Sequence, residues 1–449
     1  MVTSTPFTGS TEVYDWICSF INFERDRSKR SSAVDRMKVL VELAGNPERS
    51  APSFHIAGSK GKGSVTGMIA AILEASGIKT ARYSSPNVSD FRERVSMGKS
   101  FFDEQIYAIA GKKLKEIIDL HLHEIEEPDF FVLFTLWFFL CAQQAKCGAM
   151  SVETGMGGRL DSTNVLDPLV SVITIIELEH TEYLGKTIAA IAGEKAGIIK
   201  PGRPLILAEQ RDEALEVFTE HATRKKSPLI YVPDNTGLEN VRVDRGGTSF
   251  SLVVKNQAGS SQTSFRNLFI PIPGEVQAKN AALAILAVKT AYPDISEAAI
   301  REGLAGFTLP ARFERISETP LLVIDGAHTE RSVDLCIKTF STLYGAGGIL
   351  IFGCASKKDV LGMAKLCVPC FSRIIITRPG TFKQSHPEDI KAIFVQEAEK
   401  ISSPPLINCI PETTEAVDMA VKLSLDYGLP ILGAGSFYLA GEIRHRFIK

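Results

Sequence analysis

Short, unbroken apolar runs alternate with longer amphipathic stretches over most of this chain. Phe54, Ile56 and Ala57 end one such run, and Ala149–Val152, Val170–Ile176 and Pro204–Ala208 are others. Val65–Ser76, stopped by Gly77, and Ile188–Ile199 carry helical spacing between them. Apolar runs without polar alternation read as strands covered on both faces, which is the habit of a parallel sheet wrapped by helices. Val241–Val254 and Ser264–Ile272 instead alternate apolar and polar residues, which predicts an antiparallel insert. Asn280–Ala291 is an alanine-rich helical stretch.

The pattern breaks at Gly306-Phe307-Thr308-Leu309-Pro310 and then restarts. Leu321–Ile324, Gly348–Phe352, Arg373–Thr377 and Pro430–Leu432 read as strands, with helices over Ser332–Thr342, Glu388–Ala398 and Thr414–Ser424. The expected architecture is α/β: a mostly parallel sheet domain over residues 1–307, then a smaller Rossmann-like α/β domain over residues 308–449. Fold class alone assigns no function.

Bulk properties narrow the classes. A chain of 449 residues exceeds what one compact core holds, and 45% apolar residues exclude wholesale disorder. A net charge of −2 gives no electrostatic footprint for nucleic acid or an acidic membrane. The apolar stretch Phe130–Ala142, interrupted by Thr135, is shorter than the roughly 20 residues of a membrane span, so it reads as a buried helix. The polar N-terminus has no signal-peptide core, and eight scattered cysteines suit a reducing cytoplasm. Cys367 and Cys370 form a lone C-x-x-C without a second pair or nearby histidine, so a structural role is expected. Arg25, Arg27, Lys29 and Arg30 read as a solvated basic face.

The segment that points to chemistry is Gly58-Ser59-Lys60-Gly61-Lys62-Gly63-Ser64, set between a strand and a helix. Glycines let backbone N–H groups approach a polyphosphate, and a helix N-terminus adds partial positive charge. Lys62 would reach the outer phosphates and the Ser64 hydroxyl a magnesium ion. Gly63 separates lysine from serine, so the loop is a variant of the usual P-loop spacing. A plain flexible glycine–lysine turn is the competing reading.

Other segments follow strand-like runs. Glu153 precedes the turn Thr154-Gly155-Met156-Gly157-Gly158, at the strand end where parallel sheets bind ligands, and a carboxylate suits Mg²⁺. His180, in Leu178-Glu179-His180-Thr181, suits a metal or a phosphate, or a structural contact. Lys195, in Gly193-Glu194-Lys195-Ala196-Gly197, lies on the apolar side of a helix end. Held from water, its amine would have a depressed pKa and could add CO₂ as a carbamate; the alternative is a lysine that snorkels to the surface. Asp325, in Ile324-Asp325-Gly326-Ala327-His328, could bond a ribose or cap a helix, while Arg312 and His328 could contact phosphates.

Taken together, these segments resemble the folylpolyglutamate synthase/dihydrofolate synthase family within the Mur ligase superfamily. The resemblance runs from Arg36-Met37 through the glycine-rich loop, Tyr83-Ser84-Ser85-Pro86, Phe91–Arg94, Glu153–Asn164, His180-Thr181, Leu184-Gly185, Glu194–Lys200, Gln277 and Asn280. It continues through the Arg312 and Asp325 segments to Gly435–Leu439. It implies ATP-dependent ligation of L-glutamate to a folate carboxylate through an acyl phosphate. Ser64, Ser85, Glu153, His180 and a carbamylated Lys195 would form the centre for two Mg²⁺ ions. Gln277, Asn280, Arg312 and Asp325 would address ATP, His328 would lie in the interdomain cleft, and Asp161 near the pterin. The resemblance further implies a cytoplasmic monomer of one-carbon metabolism whose domains close around a linker near Leu309. The chain departs from the family pattern at Ser59-Lys60, Asn87, Val132, Glu179, Val276 and Thr329. Dihydrofolate synthesis, both activities together, another Mur-type ligation or a weakly active folate- or nucleotide-binding homologue remain the alternatives.

Overall fold

The computed structural model describes residues 7–20, 33–121, 125, 128–255, 262–356, 358–380 and 384–448. The basic face at Arg25, Arg27, Lys29 and Arg30 lies outside them. A seven-stranded sheet contains β1 (Ser53–Ala57), β2 (Thr80–Tyr83), β3 (Val95–Met97), β4 (Ala149–Glu153), β5 (Val170–Ile173), β6 (Leu205–Leu207) and β7 (Leu229–Tyr231). Its order is β3-β2-β4-β1-β5-β6-β7, and every pairing is parallel except that of β3 with β2. The fully buried β1 and β4 explain the continuous apolar runs. Because β1, β4 and β5 run the same way side by side, their C-terminal loops emerge along one edge. That edge is where open α/β sheets bind ligands.

The expected antiparallel insert has three strands: β8 (Thr236–Asp244), β9 (Gly247–Lys255) and β10 (Gln262–Ile270), in the order β10-β9-β8. The run read as continuous from Val241 is split by a turn. Asp244 Oδ1 accepts from the Gly246 and Gly247 N–H groups at 2.7 and 3.1 Å. Gly247 stands at φ 155°, with the Ile270 carbonyl where a β-carbon would go.

A six-stranded sheet contains β11 (Glu314–Glu318), β12 (Leu321–Ile324), β13 (Gly348–Phe352), β14 (Phe371–Ile376), β15 (Leu406–Cys409) and β16 (Ile431–Ala434). The order is β11-β12-β16-β13-β14-β15, with only β11 antiparallel.

The helices Lys62–Ala75 and Glu275–Ala291 pack through Met68, Ile69, Ile72, Ala281 and Ile285 in the core under β1 and β5. Phe130–Gln144 is a helix buried nearly all round, with Phe138 against the Tyr83 ring. No described helix is long and apolar enough to cross a membrane. Cys367 is buried in the core of the six-stranded part and Cys370 is half-buried against it, both as free thiols. Glu177 pairs with Arg331 at 3.0 Å across the cleft, and Arg444 donates to the Ser89 hydroxyl at 3.1 Å.

Candidate functional site

β1 runs directly into the glycine-rich loop, and the loop is fastened on two sides. Ser59 N–H donates to the Ile175 carbonyl at 2.9 Å, and the Ser59 hydroxyl to the Glu177 carbonyl at 3.1 Å. Gly61 has φ 91°, and a β-carbon there would lie 2.6 Å from Asn280 Oδ1. Asn280 in turn donates to Gln277 Oε1 at 3.3 Å, so both buried amides back the loop. The helix starts at Lys62, aiming its first N–H groups at the end of the sheet.

Charged side chains converge there. Lys62 Nζ donates to the Gly58 carbonyl at 3.0 Å and lies 3.9 Å from Glu153 Oε1. Lys195 Nζ donates to the same carbonyl at 2.7 Å and pairs with Glu179 Oε1 at 3.0 Å. Glu153 Oε2 accepts from the Ser85 N–H at 3.2 Å, and the β-carbon position of Gly63 is 3.4 Å away. A β-carbon at position 63 would therefore stand in ordinary contact with Glu153.

The electrostatics follow from burial and crowding. Burial pushes the Lys195 ammonium down to about 8, with Glu179 pulling up and Lys62 pushing further down. Burial raises the Glu179 carboxyl, but Lys62 and Lys195 outweigh it and hold it below the usual carboxylate range. The Glu153 carboxyl is raised by burial against the pull of Lys62 and the Ser85 N–H. Lys60 is pushed to about 8, mostly by desolvation. Desolvation also lowers His180, with Lys62 and Lys358 adding to it against Glu179. His180 sits at φ 47° immediately before the short helix Thr181–Leu184, a left-handed conformation uncommon for a side-chain-bearing residue.

The facing wall comes from the six-stranded part. Ala311 and Phe313 have φ of 52° and 45°, so Arg312 projects from a strained turn. The turn is held by Asp325, which accepts from Phe313 N–H and Ala327 N–H, each at 2.7 Å. The Arg312 guanidinium lies 4.1 Å from the centre of the Phe437 ring. His328 Nδ1 meets the Gly326 carbonyl at 2.8 Å, and burial pushes its imidazole to about 3.

One cavity of about 1100 Å³ joins these walls. Ser59 to Ser64, Ser85, Glu153, Asp161, His180, Gln277, Asn280, Arg312, Asp325 and His328 all border it. Gly58 and Lys195 do not; they stand one layer behind, with Glu179 between Lys195 and the open space. Asp161 borders the cavity while capping the 3-10 helix Ser162–Val165, accepting from Thr163 N–H at 3.0 Å. Among the described residues there is no cluster of three or more His, Cys, Asp or Glu shaped as a metal cage. Mg²⁺ is commonly held by one or two carboxylates plus substrate phosphates, so Glu153 with the Ser64 and Ser85 hydroxyls fits that ion.

Sequence reading treated Glu179 only as a departure, although it is the ion-pair partner of Lys195. It also passed over Glu177 and Arg331. The signal available was the pair of acids at 177 and 179, directly after a buried strand.

Nucleotide-type loop, cleft and second α/β sheet together define an ATP-dependent ligase of the Mur type. Residues 133–288 match the Mur ligase middle domain, and residues 311–437 match the Mur ligase, glutamate ligase domain. The chain is 33% identical over 366 residues to a dihydrofolate synthase/folylpolyglutamate synthase of Bacillus subtilis, covering 80% of this chain and 83% of that one. A Mycobacterium tuberculosis folylpolyglutamate synthase, solved with ADP and AMPPCP, superposes with a TM-score of 0.84 at 27% identity, over 96% of this chain and 99% of that one. A structure described as an FPGS-AMPPCP-folate complex gives 0.82 at 27% identity, over 98% and 100%. The chain belongs to the folylpolyglutamate synthase/dihydrofolate synthase family.

Proposed function

We propose that this protein joins L-glutamate to the carboxylate of a folate, using ATP and releasing ADP and phosphate. The observation that carries the reading is the meeting of Lys62, Glu153, Glu179 and Lys195 around the Gly58 carbonyl, at the mouth of a cleft faced by Arg312 and Asp325. The cavity also exceeds the about 300–1,000 Å³ of a typical single-ligand pocket, so nucleotide and acid have room side by side.

A carboxylate is a poor electrophile. Its oxygen attacks the γ-phosphorus of ATP, ADP departs, and an acyl phosphate forms. The glutamate amine then attacks the acyl carbon, and phosphate leaves from the tetrahedral intermediate as the amine loses its proton. Lys62 and the N–H groups of residues 59–64 stabilise the charge spread over the transferring oxygens. Arg312 and Asp325 address the nucleotide from the far wall, Gln277 and Asn280 brace the loop, and His328 stands in the cleft. Ser64, Ser85 and Glu153 would hold Mg²⁺, which supplies charge neutralisation when bound with ATP. His180, kept neutral, is suited to a second ion. The lowered Lys195 amine supports a carbamate there, which would add a carboxylate to that site. Asp161 faces the pterin side. Residues 1–307 and 308–449 act as two bodies that close about the linker near Leu309. Eight free cysteines fit a reducing cytoplasm, and the family resemblance supports a monomer acting on small molecules.

A coupled ADP assay tests the proposal, comparing tetrahydrofolate with dihydropteroate, each with L-glutamate. Glutamate-dependent ADP release with tetrahydrofolate supports chain extension. Release with dihydropteroate alone assigns dihydrofolate synthesis, and release with both assigns a bifunctional enzyme. No release with either, despite ATP binding by calorimetry, contradicts catalysis. Release only with other amino acids assigns a different Mur-type ligation.

A further inference from the structure

A buried polar chain leads from the middle of β1 to the cavity, and the roles above leave its first member unused. His55 is fully buried, and its Nε2 lies 2.8 Å from the Thr163 hydroxyl. That hydroxyl donates to Asp161 Oδ1 at 2.6 Å. Asp161 Oδ1 also accepts from Thr163 N–H at 3.0 Å, and Oδ2 from Met156 N–H at 3.0 Å.

The direction of each proton in this chain is determined. A carboxylate is an acceptor only, and a threonine hydroxyl has one hydrogen to give. With that hydrogen given to Asp161, the hydroxyl must accept from His55. Burial, with Lys200 adding to it, pushes the His55 imidazole down to about 3, so the ring is neutral and is the Nε2–H tautomer. Its Nδ1 is bare, and among the described residues that atom has no hydrogen-bond partner. An apolar side chain at this strand position would avoid burying an unsatisfied nitrogen. The orientation of Thr163 and Asp161 is what the imidazole provides in return. Asp161 Oδ2 keeps lone-pair capacity beyond its single bond, and the residue borders the cavity.

We propose that His55 is a positioning residue for Asp161, acting through the Thr163 hydroxyl, so that the carboxylate presents a fixed acceptor to N–H donors on the acid substrate. The inference rests on reading Asp161 as a substrate-binding residue. Such a carboxylate suits a nitrogen heterocycle carrying adjacent N–H groups.

The test compares His55→Leu, His55→Gln and Asp161→Asn, with ATP and the acid substrate varied separately. His55→Leu should raise the KM of the acid substrate about 5- to 10-fold, the effect of one disordered hydrogen bond, and leave the KM of ATP within about twofold. Its melting temperature should not fall, because the bare Nδ1 is gone. His55→Gln should restore the KM, since its amide nitrogen can donate where Nε2 did. A rise in both KM values, a lower melting temperature with an unchanged acid KM, or a His55→Gln variant as impaired as His55→Leu would overturn the proposal. An unchanged KM in Asp161→Asn would instead overturn the assignment of Asp161 itself. Should His55→Leu fail to fold, ¹⁵N NMR of the unaltered protein decides. A neutral Nε2–H ring between about pH 5 and 8 is expected; an Nδ1–H ring or an imidazolium in that range contradicts the chain.

Discussion

Lys62 and Lys195 donate to one acceptor, the carbonyl oxygen of Gly58, at 3.0 and 2.7 Å. Two cationic side chains from different helices thus meet on one backbone atom, with Glu153 and Glu179 as their counter-charges. Lys195 is 1% exposed, so it bears the larger desolvation cost. Lys62 borders the cavity, and a polyphosphate there would draw it away from Gly58.

Lys62→Ala should reduce kcat about 10²- to 10³-fold, the usual cost of losing one group that stabilises a transition-state oxyanion. The melting temperature should change little, since Lys62 is only partly buried. Steady-state kinetics beside a thermal melt check both. Full activity would remove Lys62 from the chemistry.

The lowered Lys195 amine gives a pH dependence with a definite sign. An amine titrating near 8 is about one-tenth neutral at pH 7 and about nine-tenths neutral at pH 9; an ordinary lysine at 10.5 is almost wholly charged at pH 7. Only the neutral amine adds CO₂. Activation by bicarbonate should therefore grow from pH 6.5 to 8.5, and Lys195→Ala should abolish it. The stability term has the same direction: the unfolded chain binds the proton more tightly, so this residue adds stability as pH rises from about 8 to 10.5. Denaturant melts at pH 7 and 9 against Lys195→Met isolate that term. Unchanged turnover of Lys195→Ala would count against the carbamate.

Gly61→Ala should raise the KM of ATP about tenfold or more. The new β-carbon would sit 2.6 Å from Asn280 Oδ1 at φ 91°, so loop or amide must shift. Titration with AMPPCP measures the loss directly. Unaltered affinity would mean that the loop geometry does not set nucleotide binding.

Phe437→Ala should weaken ATP about 5- to 30-fold, because the ring 4.1 Å beneath Arg312 contributes about 1–2 kcal/mol of cation–π contact and fixes the guanidinium. The acid substrate should bind nearly as before. Isothermal titration of each ligand separates the two effects, and equal weakening of both would place Arg312 in another role.

The fold was largely legible because its central strands are covered on both faces. β1, β4, β13 and β16 are buried along their length and show as unbroken apolar runs. Strands at or near an edge hid themselves. β7 is only three residues long and half-buried throughout, and β11 and β15 interrupt their apolar residues with polar ones at exposed and half-buried positions, so none gives a long buried run. The helix read as starting at Asn280 begins five residues earlier, at Glu275, which brings Gln277 onto the same helix as Asn280. The strand-end placement of Glu153, the helix-start placement of Lys62 and the burial of Lys195 were legible from strand-end position and local apolar spacing. The Lys195–Glu179 pair was not, because Glu179 follows β5 while Lys195 ends the helix Ile188–Lys195, and only the folded connection between β5 and β6 brings the two side chains together. His55 was hidden for a different reason: a histidine inside an apolar run reads as core, and its partner Thr163 is 108 residues away.

The most direct test of the ligation chemistry follows oxygen. The acid substrate is prepared with both oxygens of its reacting carboxylate as ¹⁸O, and one turnover is run with ATP, Mg²⁺ and L-glutamate. Activation by phosphoryl transfer moves one of those oxygens into the released phosphate, so each phosphate should carry one ¹⁸O and each amide product one. Unlabelled phosphate formed alongside amide product would contradict an acyl phosphate made in this cleft.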